Sequence, residues 1–478
     1  MKLLIKLASV LLSLVFALPL SFAARAANAA GEAPAVSEIN VIIKPSDYDS
    51  LTTNLEKKEF GVHVSLNGAK KQAASINIRG NSTRYMGLAT SVRRIPFELT
   101  FSDDKAYSGI SNRKVKFLNG YTPYRLIAEY MALDIFSDFG VPTPAHEFAF
   151  ISFNGVDFGL YVAIEDVNRA FLKKHFDNAS SFSAYKGTSD SSKNAEYFNS
   201  KWFGQMFQKV KGNNQNIEAF LKALDSGEGY EQYIDLDEWL RFFACLAVIG
   251  GDGSLLSEVS NLALYDNDGV FELIPWDLNE AFSGRKSPNG IDRYYVRDDV
   301  NNPTPLFELI MSDPQNRERY HAYISEAAQK YLSPERIKTE LEKILSAISP
   351  YLPRDHSILL NSENVLSELR SDEPDSLLCL SYALNGAYEN ILAQLEGSEN
   401  TFFVNSALTE LYSGDSIELV KKLEERSPMY DPSLPDKIAS AYGSSALAVN
   451  AAYFVIPAAA IIAAFLIVVF VKKKKQKT

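Results

Sequence analysis

Short segments in which apolar and polar residues alternate dominate the first part of the chain. The run EFGVHVSLNG places Val62, Val64 and Leu66 on one side and ends at an Asn-Gly pair, and ASINIRG and IPFELTF continue the alternation. A period of two puts successive side chains on opposite faces of a strand, and Asn-Gly is typical of a hairpin turn. The pattern from Asn40 to about Phe101 therefore predicts a meander of antiparallel strands.

After this region the spacing of apolar residues becomes that of a helix, returns to that of a strand, and then becomes helical again. YRLIAEYMALDIFSDFG has apolar residues at helical spacing and stops at Gly140, whereas EFAFISFNGVDFGLYVAIEDV returns to strands around an Asn154-Gly155 turn. A buried helix, DLDEWLRFFACLAVIGG, precedes a hairpin that turns at residues 266–269, and the pattern after Pro305 is mostly helical. These elements predict an α+β fold, with a strand-rich first half and a helix-rich second half.

Both ends of the chain differ from this globular middle. Residues 1–30 combine Lys2 and Lys6 with an apolar run and the small residues SFAARAANAA, which is typical of a secretory signal peptide; a retained anchor is the alternative. Residues 451–471 are 21 residues without a charge, long enough to cross a bilayer as a helix, and the basic tail of residues 472–478 follows. Since basic clusters stay on the cytoplasmic side, we expect a single-pass cell-membrane protein with most of the chain outside the cytoplasm.

Between the two ends we predict a folded domain over residues 38–395 and a polar stalk over residues 396–450.

The exported part of the chain is strongly acidic. Without the three basic residues of the signal and the five of the tail, 40 Lys and Arg face 59 Asp and Glu, a net charge of about −19. Such a surface repels nucleic acid, so we expect no nucleic-acid partner.

Cysteine and histidine usage argues against a disulfide scaffold and against a zinc site. The chain has two cysteines, Cys245 and Cys379, which is too few for a disulfide scaffold, and whether they pair stays open. Cys245 lies in RFFACLAVIG, where we expect a small buried apolar residue. The five His are scattered without metal-ligand spacing, which disfavours a zinc site.

The residues that could carry chemistry lie around one turn and one hairpin. ELIPWDLNEAFSG brings Asp277 to the end of an apolar strand, and VIGGDGSLLSEVSN supplies Asp252 and Asn261 upstream. Each of them alone is a common turn residue. Together they provide what phosphoryl transfer needs, because one Asp can accept the proton of the acceptor hydroxyl while an Asn and a second Asp hold metal ions. Carboxylate and amide oxygens suit Mg²⁺ or Mn²⁺.

Three further residues could bind phosphate or orient a basic side chain. Glu165 follows a strand in GLYVAIED, Arg79 precedes Gly-Asn-Ser in NIRGNSTRYM, and Arg94 begins a strand in VRRIPFELTF. Because a kinase uses a Glu to orient a basic residue on the phosphates, we expect Glu165 to pair with Arg94 or, less favourably, with Arg79. The alternatives are a surface Glu at a helix start and ordinary edge-strand charges.

The order of these motifs resembles that of the CotH family of atypical secreted protein kinases. The motifs RGNST, RRIPFELTF, FNGVDFGLYVAIEDVNRAFL, GGDGSLLSEVSNLALY and IPWDLNEAF carry the resemblance, which runs from about Glu38 to Leu395. It implies a divergent protein-kinase-like fold that uses ATP and Mg²⁺ or Mn²⁺ to phosphorylate Ser or Thr of surface or spore-coat proteins. It also implies roles for individual residues: Asp252 as the catalytic Asp, Asn261 and Asp277 as metal ligands, and Arg79, Arg94 and Glu165 as cofactor-binding groups.

Three positions depart from the family pattern. Asn279 stands where the family usually has a second acid, Ser260 where a His commonly precedes the strand Asn, and Arg94 where Lys is common. Arg keeps the charge but does not have the reach of Lys. A catalytically weak, kinase-like binding or structural module of the cell or spore surface is therefore the alternative, and an unrelated surface adhesin is a third. For an active kinase, the acidic surface predicts Ser-rich acceptor segments flanked by Lys or Arg.

Overall fold

The structure of the chain is a computed structural model. It describes residues 33–54, 58–80, 84, 87–88, 90–103, 107, 110–120, 123–176, 183–187, 207–211, 215–250, 262–279, 281–282, 305–357, 362–373, 380–398 and 431–443. Several sequence predictions lie outside these residues: the signal over 1–30, the membrane span over 451–471, the tail over 472–478, and the residues Asp252, Asn261 and Cys379.

Seven strands close into a barrel in the first half of the chain. They are β1 (Val36–Ile42), β2 (Phe60–Leu66), β3 (Gln72–Ile78), β4 (Phe97–Phe101), β5 (Lys114–Leu118), β6 (His146–Phe153) and β7 (Val156–Glu165). Antiparallel neighbours follow the order β1-β2-β3-β4-β5-β7-β6, and the ring closes because β1 also pairs in parallel with β6. Alternate residues such as Val62, Val64 and Leu99 fill the interior, as the period-two pattern requires.

The predicted fold class, an α+β protein-kinase-like fold with a C-terminal transmembrane helix, is wrong. The strands form a closed barrel and not an open meander, because β1 finds a second partner in β6, far from it in the chain. Among the residues that the structure describes, no helix is both long enough and apolar enough to span a bilayer.

Helices and a second, smaller sheet form the rest of the chain that the structure describes. The sheet contains β8 (Ser183–Gly187), β9 (Phe207–Lys211), β10 (Leu262–Asn267) and β11 (Val270–Pro275), in the order β11-β10-β8-β9. The helices are α1 (Pro45–Thr53), α2 (Pro123–Asp138), α3 (Arg169–His175), α4 (Gln215–Ser226), α5 (Leu236–Ile249), α6 (Pro305–Met311), α7 (Pro314–Leu332), α8 (Pro334–Ile348), α9 (Ser362–Leu369), α10 (Leu380–Leu395) and α11 (434–443). Short 3-10 turns span Tyr230–Tyr233 and Leu352–Arg354.

Local sequence signals place two hairpins and helix α5 where they were predicted. The two hairpins turn at residues with positive φ, Asn154 and Gly155 between β6 and β7, and Asp268 and Gly269 between β10 and β11. Asn, Asp and Gly tolerate this left-handed conformation, so both hairpin predictions are confirmed. Helix α5 begins at the cap Asp235, whose carboxylate accepts two backbone N–H groups, and ends at a left-handed glycine.

The two faces of β6 and β7 belong to two different cores. Tyr161 and Ala163 point into the barrel, whereas Leu160, Val162 and Ile164 point outward and join the large core formed by the helices. That outer core includes most of α5, where Cys245 is fully buried, as predicted for a small apolar residue. The outer face of β6 and β7 is therefore the surface of the barrel against which the helices pack.

A segment inside the predicted stalk packs against the barrel. In α11, Leu434 and Ile438 are buried in the barrel core. The Asn154 side chain of the β6–β7 turn donates to the backbone oxygens of Ile43 at 3.0 Å and Ile438 at 2.9 Å, and accepts from Ile43 N. One buried amide thus ties α11 to the start of the chain.

Two carboxyl groups meet between α5 and β11. Glu272 is buried and accepts from the Asn267 side chain, and Glu238 lies beside it. In the part of the chain that the structure describes, Oε1 of Glu238 and Oε2 of Glu272 have no hydrogen-bond donor. Burial, together with the neighbouring carboxyl, raises the pKa of Glu238, and burial raises the pKa of Glu272. A proton shared between the two groups accounts for both observations.

Candidate functional site

A stripe of charged side chains crosses the outer wall of the barrel. This charged stripe consists of Arg79, Glu98, Lys114, Lys116 and Asp166. Because the intervening residues of β4 and β5 face the interior, Glu98 and both lysines project outward. The Glu98 carboxylate contacts Arg79 Nε at 3.3 Å and Lys114 Nζ at 2.9 Å, and Lys116 lies directly opposite Glu98 on the neighbouring strand.

Exposure within the charged stripe is graded. The side chains of Glu98 and Lys116 are almost fully buried, whereas those of Arg79 and Lys114 keep 30% and 35% of their surface accessible. A buried carboxylate between two partly exposed cations fixes their position while leaving both able to contact an anion. Arg79 and Lys114 are therefore the cations of the stripe that solvent reaches.

The far end of the charged stripe lies against the Pro-Trp-Asp motif, which begins at the last residue of β11. Lys116 Nζ lies 2.6 Å from Asp166 Oδ1 and 3.4 Å from the centroid of the Trp276 ring. Asp277 follows with an exposed side chain and a left-handed backbone, φ 54°. Its Oδ1 accepts a hydrogen bond from the Asn279 side chain at 3.1 Å. The predicted metal ligand thus stands at the surface beside the stripe.

Glu165 has a different partner from the one predicted. Its carboxylate is fully buried and accepts from Lys174 Nζ at 2.6 Å, from the Asn112 side chain at 3.2 Å and from Ala145 N at 3.2 Å. A buried carboxylate is stable only with such partners. The expected pairing with Arg94 or Arg79 is therefore wrong, and Glu165 is not a solvated helix-start acid either.

Arg94 forms a buried ion pair with the helical half of the molecule. Its Nη1 lies 3.1 Å and 3.2 Å from the two carboxylate oxygens of Asp355, and its Nε donates to Asn119 O at 2.7 Å. Nη2 donates to the backbone oxygen of Leu160. Leu160 precedes Glu165 by five residues, which is roughly 16 Å along a strand. The geometry gives the Arg94 side chain a role in holding the barrel to the segment after the second 3-10 turn.

Gly159 in the Gly-Leu-Tyr motif makes room for this ion pair. A Cβ atom built on Gly159 would overlap Oδ1 of Asp355, Oγ of Ser357 and Nη1 of Arg94. Asp355 in turn accepts from Leu160 N at 2.9 Å and from Ser357 N at 3.0 Å. The absence of a side chain at this strand position is therefore a packing requirement of the Arg94–Asp355 pair.

The structure brings only some of the predicted site residues together. Arg79 lies on the charged stripe, Asp277 lies at its end, and Glu165 precedes the stripe residue Asp166, whereas Arg94 points elsewhere. Asp252 and Asn261 lie outside the described residues. Within the described ranges, no three His, Cys, Asp or Glu side chains form a group that could hold a metal.

Sequence reasoning missed four members of the stripe. Glu98, Lys114 and Lys116 occur in FELTF and KVKFL, where alternation with buried residues marks them as outward-facing, and Asp166 follows Glu165. Their shared face could have been inferred from the period of two. The contact of Lys116 with Trp276, the neighbour of Asp277, could not be inferred, because it depends on how the end of β11 packs against the barrel.

Comparison with known proteins agrees with the motif order. Residues 76–375, more than half of the chain, match the family described as CotH kinase protein. The chain is also similar to the inner spore coat protein H of Bacillus subtilis (strain 168), with 22% identity over 338 residues that cover 66% of this chain and 87% of that protein. The matched range contains the whole charged stripe and the Pro-Trp-Asp motif. The chain belongs to the CotH kinase protein family.

Proposed function

We propose that this chain is an ATP-dependent protein kinase that transfers the γ-phosphoryl group to Ser or Thr of surface or spore-coat proteins. The observation that carries the proposal is the charged stripe beside Asp277. Phosphoryl transfer depends on positioned cations for the phosphates and on acidic oxygens for a divalent metal, with little covalent chemistry from the protein. The stripe supplies the cations, and the exposed Asp277 supplies an acidic oxygen.

Arg79 and Lys114 are the groups we assign to the phosphates. In protein kinases a Glu orients the Lys that contacts the phosphates. Here Glu98 occupies an equivalent position toward both cations, a role that the sequence had suggested for Glu165. Arg94 has no part in this assignment, because its donors are used inside the molecule.

The residues at Asp277 fit the divalent cation that the family implies. The Asp277 carboxylate and the Asn279 amide offer hard oxygen atoms, which suit Mg²⁺ or Mn²⁺. Asp277 would hold the cation, and the predicted ligand Asn261 would complete the site. When bound, the cation neutralises charge on the phosphates. Asp252 is the residue we expect to accept the proton of the acceptor hydroxyl.

A nucleotide-binding module without efficient transfer is the second candidate. It is favoured by Asn279, whose amide donates to Asp277 where a second carboxylate would add charge to a metal site. With one acid fewer, the site would hold a second cation weakly. This candidate predicts nucleotide binding without phosphorylated product.

The test uses the purified full chain with labelled ATP, Mn²⁺ and two Ser-rich peptides, one flanked by Lys and one by Glu. The acidic surface should favour the Lys-flanked peptide in low salt, and the preference should shrink as salt screens it. Asp252→Asn should keep ATP binding and lose roughly 10²-fold or more in transfer, the scale for a positioned general base. Asp277→Asn should lose both ATP binding and phosphoryl transfer. Calorimetry with Mn²⁺ measures the binding, and phosphopeptide mass spectrometry measures the transfer.

Variants of the charged stripe test the phosphate assignment. Arg79→Gln and Lys114→Gln should each weaken ATP binding by about tenfold, the usual scale of a lost charge-assisted hydrogen bond. Lys70→Gln is the matched control, because Lys70 is an exposed lysine in the β2–β3 hairpin of the same barrel. Equal ATP affinity in all three variants would contradict the assignment.

A further inference from the structure

The segment Trp276–Asn279 carries the predicted metal ligand, and two buried charged residues contact it. Lys116 lies beneath Trp276, with its ammonium 3.4 Å from the ring centroid. Glu129 of α2, also buried, accepts the backbone N–H of Leu278 at 3.3 Å. Asp277 lies between these two attachment points.

The backbone between the two attachments is in an unfavourable conformation. Asp277 has φ 54°, a region that side chains with a Cβ seldom occupy, although Asp tolerates it better than most. Such a conformation persists only where its surroundings determine it. Trp276 on one side and Leu278 on the other are the residues that the structure fixes.

Lys116 is poorly placed for contacting a ligand itself. Only 5% of its side chain is accessible, and its ammonium is engaged by the Asp166 carboxylate at 2.6 Å and by the face of Trp276. A desolvated ammonium over an indole ring, with a carboxylate beside it, forms a strong and directional contact. By comparison, the stripe residue Lys114 has 35% of its side chain accessible.

We propose that Lys116 is a positioning residue that acts through Trp276 to hold the Asp277 carboxylate at the mouth of the site. Asp166 fixes the ammonium, the ammonium fixes the indole, and the indole sets where the backbone reverses into Asp277. The inference rests on the proposed function only for its consequence, which is a correctly placed cation ligand. The contacts themselves are independent of any reaction.

The first experiment measures amide hydrogen exchange in peptides that span Trp276–Asn279 in the full chain. Lys116→Met should increase exchange there by about tenfold and leave peptides from β2 and β3 unchanged, because the loss is local. Lys116→Arg should restore protection, since a guanidinium keeps the charge and stacks on an aromatic face. Lys58→Met, which removes a different ammonium–ring contact 5.3 Å from the Phe60 centroid, is the control and should not change exchange at Trp276–Asn279.

Two further variants separate positioning from general stability. Lys116→Met removes the ammonium that contacts the Asp166 carboxylate, so the double variant with Asp166→Asn removes both charges and guards against simple unfolding. Trp276→Leu should raise exchange as Lys116→Met does, and combining the two should add nothing further, because both break one chain of contacts. Independent, additive effects, or unchanged exchange in the Lys116→Met/Asp166→Asn protein, would overturn the proposal.

A kinetic experiment links positioning to the reaction. The Mn²⁺ concentration that gives half-maximal transfer should rise about tenfold in Lys116→Met and return to the parent value in Lys116→Arg. A purely structural loss would instead lower the amount of active protein and leave that Mn²⁺ concentration unchanged. If the parent chain transfers no phosphate, the proposed function fails, and hydrogen exchange still decides whether Lys116 positions Asp277.

Discussion

The buried Arg94–Asp355 pair allows a sharp test of what Arg94 does. The perturbation is Asp355→Asn, which keeps the shape of the side chain and removes its charge. In the parent, Arg94 is 4% exposed and Asp355 is fully buried. If the pair is structural, the change should lower stability; if Arg94 instead bound phosphate, the change should mainly alter ATP affinity.

The size of the effect follows from the contacts that remain. Removing one partner of a buried ion pair costs about 3–5 kcal/mol, because the other charge stays buried. Asn retains one acceptor oxygen for Leu160 N or Ser357 N, and Arg94 keeps the backbone oxygens of Asn119 and Leu160. The loss should therefore fall at the low end, about 3 kcal/mol. At roughly 2 °C per kcal/mol for a domain of more than about 200 residues, Tm should fall by roughly 6 °C.

The assay is urea unfolding and calorimetric melting of the full chain, with Asp157→Asn as the matched control. Asp157 also lies within hydrogen-bond distance of an arginine, with its Oδ2 2.9 Å from Arg354 Nε, but 31% of its side chain is accessible. Because the Arg354–Asp157 pair is partly exposed, solvent screens its charges, and the control should melt closer to the parent than Asp355→Asn does. An Asp355→Asn protein with the Tm of the control and weakened ATP binding would refute the structural assignment of Arg94.

Three other predictions test packing and protonation. Gly159→Ala should cost at least about 2–3 kcal/mol in urea unfolding, because the new Cβ overlaps Asp355 and Ser357. Ile438→Ala should cost about 2–4 kcal/mol, since Ile438 is fully buried, whereas Asp436→Ala on the exposed side of α11 should be within about 0.5 kcal/mol of the parent. Because the pKa of Glu238 is raised from its ordinary value of 4.5, the folded chain keeps a proton that the unfolded chain releases, so stability should fall as pH rises above about 4.5 toward the raised pKa. Glu238→Gln, which has no such proton to lose, should flatten this fall by on the order of 1 kcal/mol per pH unit between pH 5 and 8; parallel stability curves for the two proteins would contradict the shared proton.

The sequence predicted individual elements better than it predicted their assembly. Alternation and turn residues located the β6–β7 and β10–β11 hairpins, because Asn154 and Asp268 sit where the backbone must turn left-handed. The barrel was missed because its closure depends on β1 pairing in parallel with β6, a contact for which neither strand carries a local signal. Likewise, the polar composition around α11 hid Leu434 and Ile438, since two apolar residues four apart are enough to anchor a short helix.

Contacts between residues far apart in the chain also explain why the predicted partners of Arg94 and Glu165 were wrong. Arg94 and Glu165 were both expected near phosphate because each lies at the end of a strand and a kinase pairs a Glu with the cation that contacts the phosphates. In the structure each is neutralised by a residue outside those motifs, Asp355 for Arg94 and Lys174 for Glu165. Proximity in sequence to a strand end shows that a charge is available, but burial decides whether it is used to hold the fold together or to contact a ligand.

The charged stripe shows how these two uses can be separated on physical grounds. Glu98 and Lys116 are almost fully buried and hold other side chains, whereas Arg79 and Lys114 keep about a third of their surface accessible. A buried ammonium such as that of Lys116 is retained only when it is matched by a carboxylate and a ring face. The Trp that precedes Asp277 is then explained: an exposed acid in a strained turn needs a large, well-anchored neighbour, and this indole contacts Lys116 on its face and packs against a buried apolar cluster. The proposed role of Asp277 therefore involves a lysine that lies outside the motifs of the family resemblance.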